Sequence, residues 1–408
     1  MLPSADLVVV GASEVLTCAA SSAAGPERIA GGSVAMADGR ILAVGPRDEI
    51  SAVVDLAGAM VMDAAGGVVA PGFIDAHTHL VFGGSRAREY AARLTRSREE
   101  VAASGIPTGI MATVSMTRSE GVEALLDAAL ERVGAMLAHG TTTVESKSGY
   151  GLDTLSELKL LEVNRLLDES QAVDLVSTFM GAHDFPPELS REHYVDHVID
   201  EMIPRVADAG LARFCDVFCD DGYYTVDQAR RILEAGIAAG LAPKIHADQY
   251  SDLGGADLAA DLVMVSADHL NFTPIDGLQR MAEAGVTAVL MPLIDFAVQH
   301  PRPIRARDWV EAGLSIAIGT DLCPGGYAVS MPLAIQFACR WNGLSPDEAL
   351  HAATAGSARA CGLDDRGTLT VGALADLQVW DVPTLEDMVY RIGHNPVRTV
   401  IKRGKVVI

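Results

Sequence analysis

Eight short apolar segments, each able to form a buried strand, alternate with helix-forming stretches between residues 72 and 321. In chain order they read GFIDAH, TTTVES, DLVSTF, FCDVFC, APKIHA, MVSADH, TAVLMP and SIAIGTD. The stretches between them include VEALLDAALERVGAMLAHG, whose apolar residues recur on one helix face and which ends at Gly140. The next helix is expected to open with a capping box formed by Thr154 and Glu157. Eight strand–helix units in succession predict an α/β fold of the (β/α)8 TIM barrel type.

Both ends of the chain lack long helix patterns and instead show short strand-like segments separated by glycine. The pair Asp38 and Gly39, between SVAM and RILAVG, predicts a hairpin. Near the C-terminus, GTLTVGALADLQVWD and TVIKRGKVVI have the same character. We therefore expect residues 1–68 and 365–408 to form one small β-sandwich domain, and residues 69–364 to form the metal-dependent barrel.

Charge and composition exclude several classes of partner. The sequence has 54 acidic and 31 basic residues and a formal net charge of −23, which disfavours binding to nucleic acid or to anionic membranes. It contains no run of 18 apolar residues, and its first residues do not resemble a signal peptide. The six cysteines are scattered and form no CxxC pair, which is typical of a reducing compartment. We expect a cytoplasmic protein that acts on a small molecule.

Histidine and aspartate side chains stand at the ends of several predicted strands. His77 and His79 end the first strand, His246 the fifth, and Asp321 the eighth. Active sites of such barrels lie at the C-terminal ends of the strands, and alternate residues of a strand face the same side. Imidazoles with one carboxylate suit Zn²⁺ or Fe²⁺ better than Ca²⁺ or Mg²⁺. The sequence therefore predicts one divalent metal, with Zn²⁺ favoured and Fe²⁺ or Mn²⁺ as alternatives.

This ligand set predicts hydrolysis. A bound divalent metal lowers the pKa of its water to about 7. Asp321 can bind the metal and accept the proton of the water, and His269 can polarise the scissile carbonyl or donate a proton. Gln249 stands three residues after His246, where an amide cannot act as a general base, which disfavours a deaminase. A non-catalytic metal-binding protein would lack Asp321 and His269, and both are present.

Six blocks of the sequence, PGFIDAHTHLVFGGSR, TTTVESKSGYGL, FMGAHDFPPE, KIHADQ, SADHL and VYRIGHNP, together resemble the imidazolonepropionases of the amidohydrolase superfamily. The resemblance covers nearly the whole chain, and ESKSGYG and GAHDFPPE are specific to this branch. It implies a barrel with a β-sandwich, a homodimer, and a mononuclear metal site at the four residues named above. It also implies that Gln249 lies near the substrate ring and that His269 polarises the carbonyl. The implied reaction is hydrolysis of a ring amide in an imidazolone that carries a propionate, a small anionic substrate.

The resemblance further implies substrate contacts from Arg86, Tyr150 and His183. The residue types agree with these roles. A guanidinium binds a carboxylate through a bidentate pair, so Arg86 suits a propionate group. Tyr150 lies between glycines in a loop, which favours contact with a ligand ring over packing in the core.

The segment after the eighth predicted strand departs from the pattern of the family. The family typically reads Asp-x-Asn-Pro-Gly followed by Ser or Thr, whereas this chain has Cys323 in place of Asn and Gly326 in place of the hydroxyl residue, with Gly325 between them. We predict that these three residues contact the substrate, and that losing two hydrogen-bonding side chains changes selectivity.

Two alternatives follow from Cys323. Its softer sulfur would suit a 2-thioxo analogue of the ring, with water attack at the thione carbon, release of sulfide and a hydantoin propionate as product. A hydantoin-type paralogue is a related possibility. Cys323 could instead serve as an additional metal ligand or a redox-labile thiol.

Overall fold

The computed structural model describes residues 2–19 and 27–408, and within them the chain begins with short strands. Their bounds are β1 Leu7–Val10, β2 Glu14–Leu16, β3 Arg28–Ala30, β4 Ser33–Ala37, β5 Arg40–Gly45, β6 Met60–Asp63 and β7 Val69–Pro71. β4 and β5 pair antiparallel through a two-residue turn in which Asp38 and Gly39 have φ of 51° and 74°. The predicted hairpin is confirmed, because turns with positive φ match the twist of the strands that they join.

The middle of the chain forms eight parallel strands, one in each of the eight predicted segments. They are β8 Phe73–Thr78, β9 Thr141–Lys147, β10 Asp174–Ala182, β11 Phe214–Cys219, β12 Ala242–Ala247, β13 Ser266–His269, β14 Thr287–Leu290 and β15 Ser315–Ile318. Each strand pairs with the next along the chain. The ends meet where His79 N–H donates to the Leu322 carbonyl at 2.9 Å and Asp321 N–H to the His77 carbonyl at 3.0 Å. This confirms the TIM barrel.

The last strands return to those of the N-terminal region. They are β16 Leu377–Trp380, β17 Val397–Lys402 and β18 Lys405–Val406. One sheet has the order β5-β4-β1-β6 and another the order β18-β17-β16-β7-β2-β3, so both ends of the chain share the second sheet. Buried apolar residues from both ends, including Val9, Val34, Leu377 and Ile401, form one cluster. Because β7 belongs to this sheet, we propose that the barrel domain begins after Pro71 rather than at residue 69.

Helices follow most strands and cover the outside of the barrel. Their bounds are α1 Arg47–Val53, α2 Ala87–Arg93, α3 Arg98–Ala103, α4 Gly109–Ser119, α5 Val122–Ala138, α6 Thr154–Ser170, α7 Arg191–His197, α8 Ile203–Ala209, α9 Val226–Ala238, α10 Gly255–Asp261, α11 Ile275–Ala284, α12 Pro292–Ala297, α13 Ala306–Glu311, α14 Met331–Arg340, α15 Pro346–His351, α16 Ser357–Ala360 and α17 Leu385–Tyr390, with π-helical turns at Val198–Met202 and Ala352–Gly356. Within residues 2–19 and 27–408, no helix has the length and apolar character needed to cross a bilayer.

The start of α6 differs from the prediction. Asp153, not Thr154, caps the helix, and its carboxylate accepts the Ser156 N–H at 2.8 Å. Glu157 faces the other way and accepts backbone N–H groups of the loop around Tyr150, at 2.7 to 2.9 Å. The predicted capping box was therefore wrong, because a buried loop with several unpaired N–H groups takes the glutamate.

Candidate metal centre and substrate cavity

The predicted metal ligands lie together at the C-terminal end of the barrel, and all four are buried. The ring centroids of His77 and His246 are 4.5 Å apart, and those of His79 and His246 are 5.6 Å apart. Asp321 Oδ1 lies 3.6 Å from His77 Nε2 and 4.0 Å from His79 Nε2. Parallel strands that end at one rim bring residues from distant parts of the sequence to this point.

Two of the ring nitrogens are poised as ligands. In the described part of the chain, Nε2 of His77 and Nε2 of His246 are buried and have no hydrogen-bond partner. The opposite nitrogens are occupied, since His77 Nδ1 donates to Asp268 Oδ2 at 2.7 Å and His246 Nδ1 donates to Asp216 Oδ1 at 3.0 Å. A carboxylate on Nδ1 fixes the tautomer and leaves the lone pair of Nε2 for a metal. The residues present therefore fit a divalent cation.

Electrostatics agrees with this fit. Burial lowers the pKa of His77 and of His79 well below the usual value, so both rings are neutral, as metal ligands must be. Burial raises the pKa of the Asp321 carboxyl well above its usual value. A divalent cation beside Asp321 would favour the ionised carboxylate and offset this cost.

The backbone is strained at two residues of the site, Asp321 and His269. Asp321 and His269 have φ of 49° and 76°, a left-handed conformation that is uncommon for residues other than glycine. The turn at Asp321 is held by Asp75 of β8, whose carboxylate accepts Thr320 N–H at 2.9 Å and Thr320 Oγ1–H at 2.6 Å. Burial raises the pKa of Asp75 to about 7. Asp75, on the first strand of the barrel, thus fixes the backbone conformation of the residues that follow the last strand.

A cavity of about 360 Å³ opens above the histidines, a size that suits a small molecule. Ten of the predicted site residues line it: His79, Arg86, Tyr150, His183, His246, Gln249, His269, Asp321, Cys323 and Gly325. His77 lies beneath it, fully buried. Ile110, Phe218, Tyr223 and Ile294 add apolar and aromatic surface to the same wall.

The Arg86 guanidinium is oriented by a residue that the sequence reading did not identify. Glu89, buried on α2, accepts Arg86 Nε–H at 2.6 Å and Nη2–H at 3.1 Å, and it also binds Arg93 Nη2 at 2.6 Å. The remaining nitrogen, Arg86 Nη1, points to the strand-eight loop, 3.8 Å from where a Cβ on Gly325 would lie. One edge of the guanidinium thus remains available in the cavity.

His183 and Tyr150 also line the cavity. The His183 ring stacks on His79 with a centroid distance of 4.8 Å, and its Nδ1–H donates to the Gly149 carbonyl at 3.0 Å. Burial lowers the pKa of His183 to about 3. At neutral pH its Nε2 is therefore an acceptor for an N–H of a ligand.

The loop after β15 contains Cys323, Gly325 and Gly326, which were all predicted to contact the substrate, but it places them in different surroundings. Cys323 and Gly326 close a tight turn through backbone hydrogen bonds in both directions. A Cβ on Gly326 would lie 2.5 Å from Ile294 Cδ1. Gly326 lines an adjoining apolar cavity, together with Phe296 and Tyr327, and not the cavity above the histidines. The structure therefore does not bring Gly326 into the metal cavity, because the turn directs it against α12.

Cys323 borders the cavity as a thiol. Burial raises its pKa, which disfavours the thiolate needed for metal binding or for redox reactivity. In the described ranges, the groups of side chains close enough to hold a metal involve His77, His79, His246, His269, Asp216, Asp268 and Asp321, without Cys323.

A buried charge network lies beneath the histidines. Lys147 Nζ is 2.7 Å from Asp216 Oδ2, 2.9 Å from Glu145 Oε1 and 3.2 Å from Asp268 Oδ2. Lys244 Nζ is 3.3 Å from Glu145 Oε1. The sequence analysis assigned none of these five residues. The signal was available, since a charged residue inside a continuous apolar strand, such as Asp216 in FCDVFC, requires a buried partner.

Comparison with known proteins identifies the family of this chain. A sequence model of the amidohydrolase family matches residues 60–115 and 102–408. The chain is 44% identical to the imidazolonepropionase of Symbiobacterium thermophilum, over 99% of this chain and 97% of that protein. It is 46% identical to the imidazolonepropionase of Geobacillus kaustophilus, over 98% of each chain.

The fold has distant structural relatives. A crystal structure of an adenosine deaminase from Xanthomonas campestris with bound zinc superposes with a TM-score of 0.74 at 19% identity, covering 100% of this chain and 93% of that one. This similarity supports the architecture alone. The family assignment follows from the sequence matches: the chain belongs to the amidohydrolase family and, within it, to the imidazolonepropionases.

Proposed function

We propose that this protein hydrolyses the ring amide of imidazolone propionate, as part of histidine breakdown. The observation that carries the proposal is the free edge of the Arg86 guanidinium, which shares one cavity with His79, His246 and Asp321. A small ring with an anionic arm fits that arrangement of a cation opposite a metal-type site. The relatives named imidazolonepropionase align over almost the whole chain.

We further propose that His77, His79, His246 and Asp321 hold one divalent metal, with Zn²⁺ favoured over Fe²⁺ and Mn²⁺ because nitrogen ligands predominate. When bound, such a metal lowers the pKa of a water molecule and polarises a carbonyl. Metal analysis of the purified protein distinguishes the three ions. Reactivation of chelated protein by each ion in turn provides a second test.

The chain's own residues supply the proton transfers. Asp321 is placed to accept a proton from the attacking water, whose oxygen bonds to the ring carbonyl carbon. The ring C–N bond then breaks, and the proton passes to the departing nitrogen to give formiminoglutamate. His269 is buried and neutral, since burial lowers its pKa well below the usual value. It therefore acts on the carbonyl oxygen as a hydrogen-bond donor.

The remaining cavity residues hold the substrate. Arg86 binds the propionate carboxylate, while Tyr150 and His183 contact the ring. Gln249 provides an amide that can hydrogen-bond a ring N–H or carbonyl. Cys323 and Gly325 shape the wall beside Arg86.

A direct assay tests the reaction. Imidazolone propionate and its 2-thioxo dihydro analogue are offered in parallel while ring absorbance and sulfide are followed. We expect loss of the imidazolone absorbance without sulfide. Turnover of neither compound would overturn the proposal. Sulfide release with an inert imidazolone would select the desulfhydrase alternative, which the comparisons do not support.

We also propose a homodimer in the cytoplasm. The dimer is supported by the family resemblance, and the location by six cysteines that form no disulfide. Light scattering coupled to size-exclusion chromatography should give twice the mass of the chain, and a monomer would contradict the dimer.

A further inference from the structure

We propose that Lys147 is a fixed internal cation that keeps this centre mononuclear. It holds Asp216 and Asp268 as partners of the metal histidines and so denies both carboxylates to a second metal ion. The inference rests on the proposed metal site and adds a role for a residue that does not reach the cavity.

The first step is the position of the ammonium group. Lys147 is fully buried at the end of β9. Its Nζ contacts Asp216, Glu145 and Asp268 at 2.7, 2.9 and 3.2 Å. An ammonium has three N–H donors; Asp216 and Glu145 accept hydrogen bonds from it here, and Asp268 forms an ion pair with it. The ammonium is therefore held among three carboxylates.

The second step is what these carboxylates do on their other sides. Asp216 accepts from His246 Nδ1 at 3.0 Å, and Asp268 accepts from His77 Nδ1 at 2.7 Å. Each carboxylate thus lies between the ammonium and one metal histidine. This geometry requires both to remain hydrogen-bond acceptors for imidazole rather than metal ligands.

The third step is that the same residues could hold a metal by themselves. Ligand atoms of Asp216, His246 and Asp268 all lie within 4.8 Å of one another. His246 also belongs to the proposed metal site through its unpaired Nε2, whereas its Nδ1 faces Asp216, so a second ion here would share the His246 ring with the first. Lys147 Nζ contacts both carboxylates of this set. Its positive charge and its occupation of their oxygens oppose a second divalent cation.

A charge-matched double variant tests this role. Glu145→Gln with Lys147→Met removes one negative and one positive charge and leaves Asp216 and Asp268 in place. Glu145→Gln alone is the matched control, because it retains the ammonium. Each protein is loaded with Mn²⁺, dialysed, and analysed for metal per chain by mass spectrometry and for spin coupling by EPR. Circular dichroism and thermal melting establish that each variant is folded.

We expect one Mn²⁺ per chain with an isolated-ion EPR spectrum for the unmodified protein and for Glu145→Gln. The double variant should bind close to two ions per chain, with a spectrum broadened by spin coupling. A double variant that still binds one ion with unchanged affinity, or that binds none, would overturn the inference. These readouts do not depend on catalytic activity.

A second measurement applies if the double variant does not fold. The unmodified protein is titrated with Mn²⁺ to millimolar concentration, and saturation at one specific ion is expected; two specific ions would overturn the role of Lys147. Failure of the proposed function is recognised separately. In that case the protein holds one ion but leaves imidazolone propionate unchanged, and the inference about Lys147 stands.

Discussion

The two sides of the cavity are built in different ways. The metal side consists of strand ends, where His77, His246 and Asp321 are buried and two of the three are fixed by carboxylates. The substrate side is formed by residues of the loops after β8, β9, β10 and β15, and the side chain of its cation, Arg86, is 12% exposed. The pattern implied by the family resemblance is kept on the metal side and changes on the substrate side at Cys323, whereas Gly326 faces the adjoining apolar cavity.

This difference teaches which side sets chemistry and which sets selectivity. Side chains at strand ends move only if the barrel moves, so substitutions there should abolish the reaction. Side chains on loops can change with little effect on the barrel, so substitutions there should alter substrate binding. Five predictions test that division.

The largest effect is expected on the metal side. His246→Ala removes a proposed ligand together with the ring N–H that Asp216 accepts, so we expect kcat/KM to fall on the order of 10³-fold or more. Metal content should fall with it. His193→Ala, at an exposed position of α7, is the control and should change neither. A His246→Ala protein with near-normal activity would break the comparison.

The next effect belongs to the substrate side. Arg86→Met removes the cation proposed for the propionate, and we expect KM to rise about 10- to 100-fold, in line with the loss of hydrogen bonds to a charged group. Metal content should not change. Arg86→Lys should restore little, because an ammonium cannot form the paired contacts to Glu89 and substrate. A pure loss of kcat at constant KM would contradict this role.

A smaller effect is expected at Glu89, which binds Arg86. Glu89→Gln keeps the shape of the side chain but loses the charge that fixes the guanidinium, so KM should rise about tenfold with kcat nearly constant. Steady-state kinetics separates the two constants. Combining Glu89→Gln with Arg86→Met should add little to Arg86→Met alone, because both act through one contact.

The strand-eight loop offers a gain rather than a loss. Cys323→Asn restores the residue typical of the family at a position that borders the cavity. We expect kcat/KM for imidazolone propionate to rise by about two- to tenfold, the value of one added hydrogen bond. Gly326→Ser should instead lower stability slightly, because the terminal methyl Cδ1 of Ile294, 2.5 Å from the added Cβ, has to shift. Thermal melting of the two variants, beside the kinetics, tests both statements.

The smallest effect lies far from both sides. A hydrogen bond from Arg307 lowers the pKa of Glu348 to about 2 from a usual 4.5. Because the folded pKa lies below the unfolded one, this pair stabilises the protein above about pH 4.5 and loses that contribution as the pH falls toward 2. The Arg307 side chain is exposed and that of Glu348 is half-buried, so Glu348→Gln should cost about 1 kcal/mol at pH 7. Denaturant unfolding at several pH values measures this, and kcat/KM should not change.

The sequence analysis succeeded where a pattern has one physical cause. Each barrel strand was recognisable because both of its faces are covered, which requires a continuous apolar run. The clustering of the predicted metal ligands was foreseeable because polar residues that end such runs must meet at one rim. The hairpin at Asp38 and Gly39 followed from the need for positive φ.

The remaining features depend on contacts between residues far apart in the chain. Lys147 meets Asp216 and Asp268 only after β9, β11 and β13 are assembled, so no local pattern pairs them. Glu157 resembled a helix cap until the loop around Tyr150 was seen to need its carboxylate. The orientation of Gly326 was unpredictable for the same reason, since Ile294 blocks it from another helix.

The closure of the barrel has a consequence for synthesis of the protein. His77 and His79 lie on the first strand and Asp321 follows the last, so the ligands of one site are separated by most of the barrel. At translation rates of about 5–20 residues per second, His79 leaves the ribosome roughly 12–50 s before Asp321. During that interval the chain has the two histidines of the first strand but not the carboxylate that follows the last. A site that uses all four predicted ligands can therefore form only when the eighth strand closes the ring.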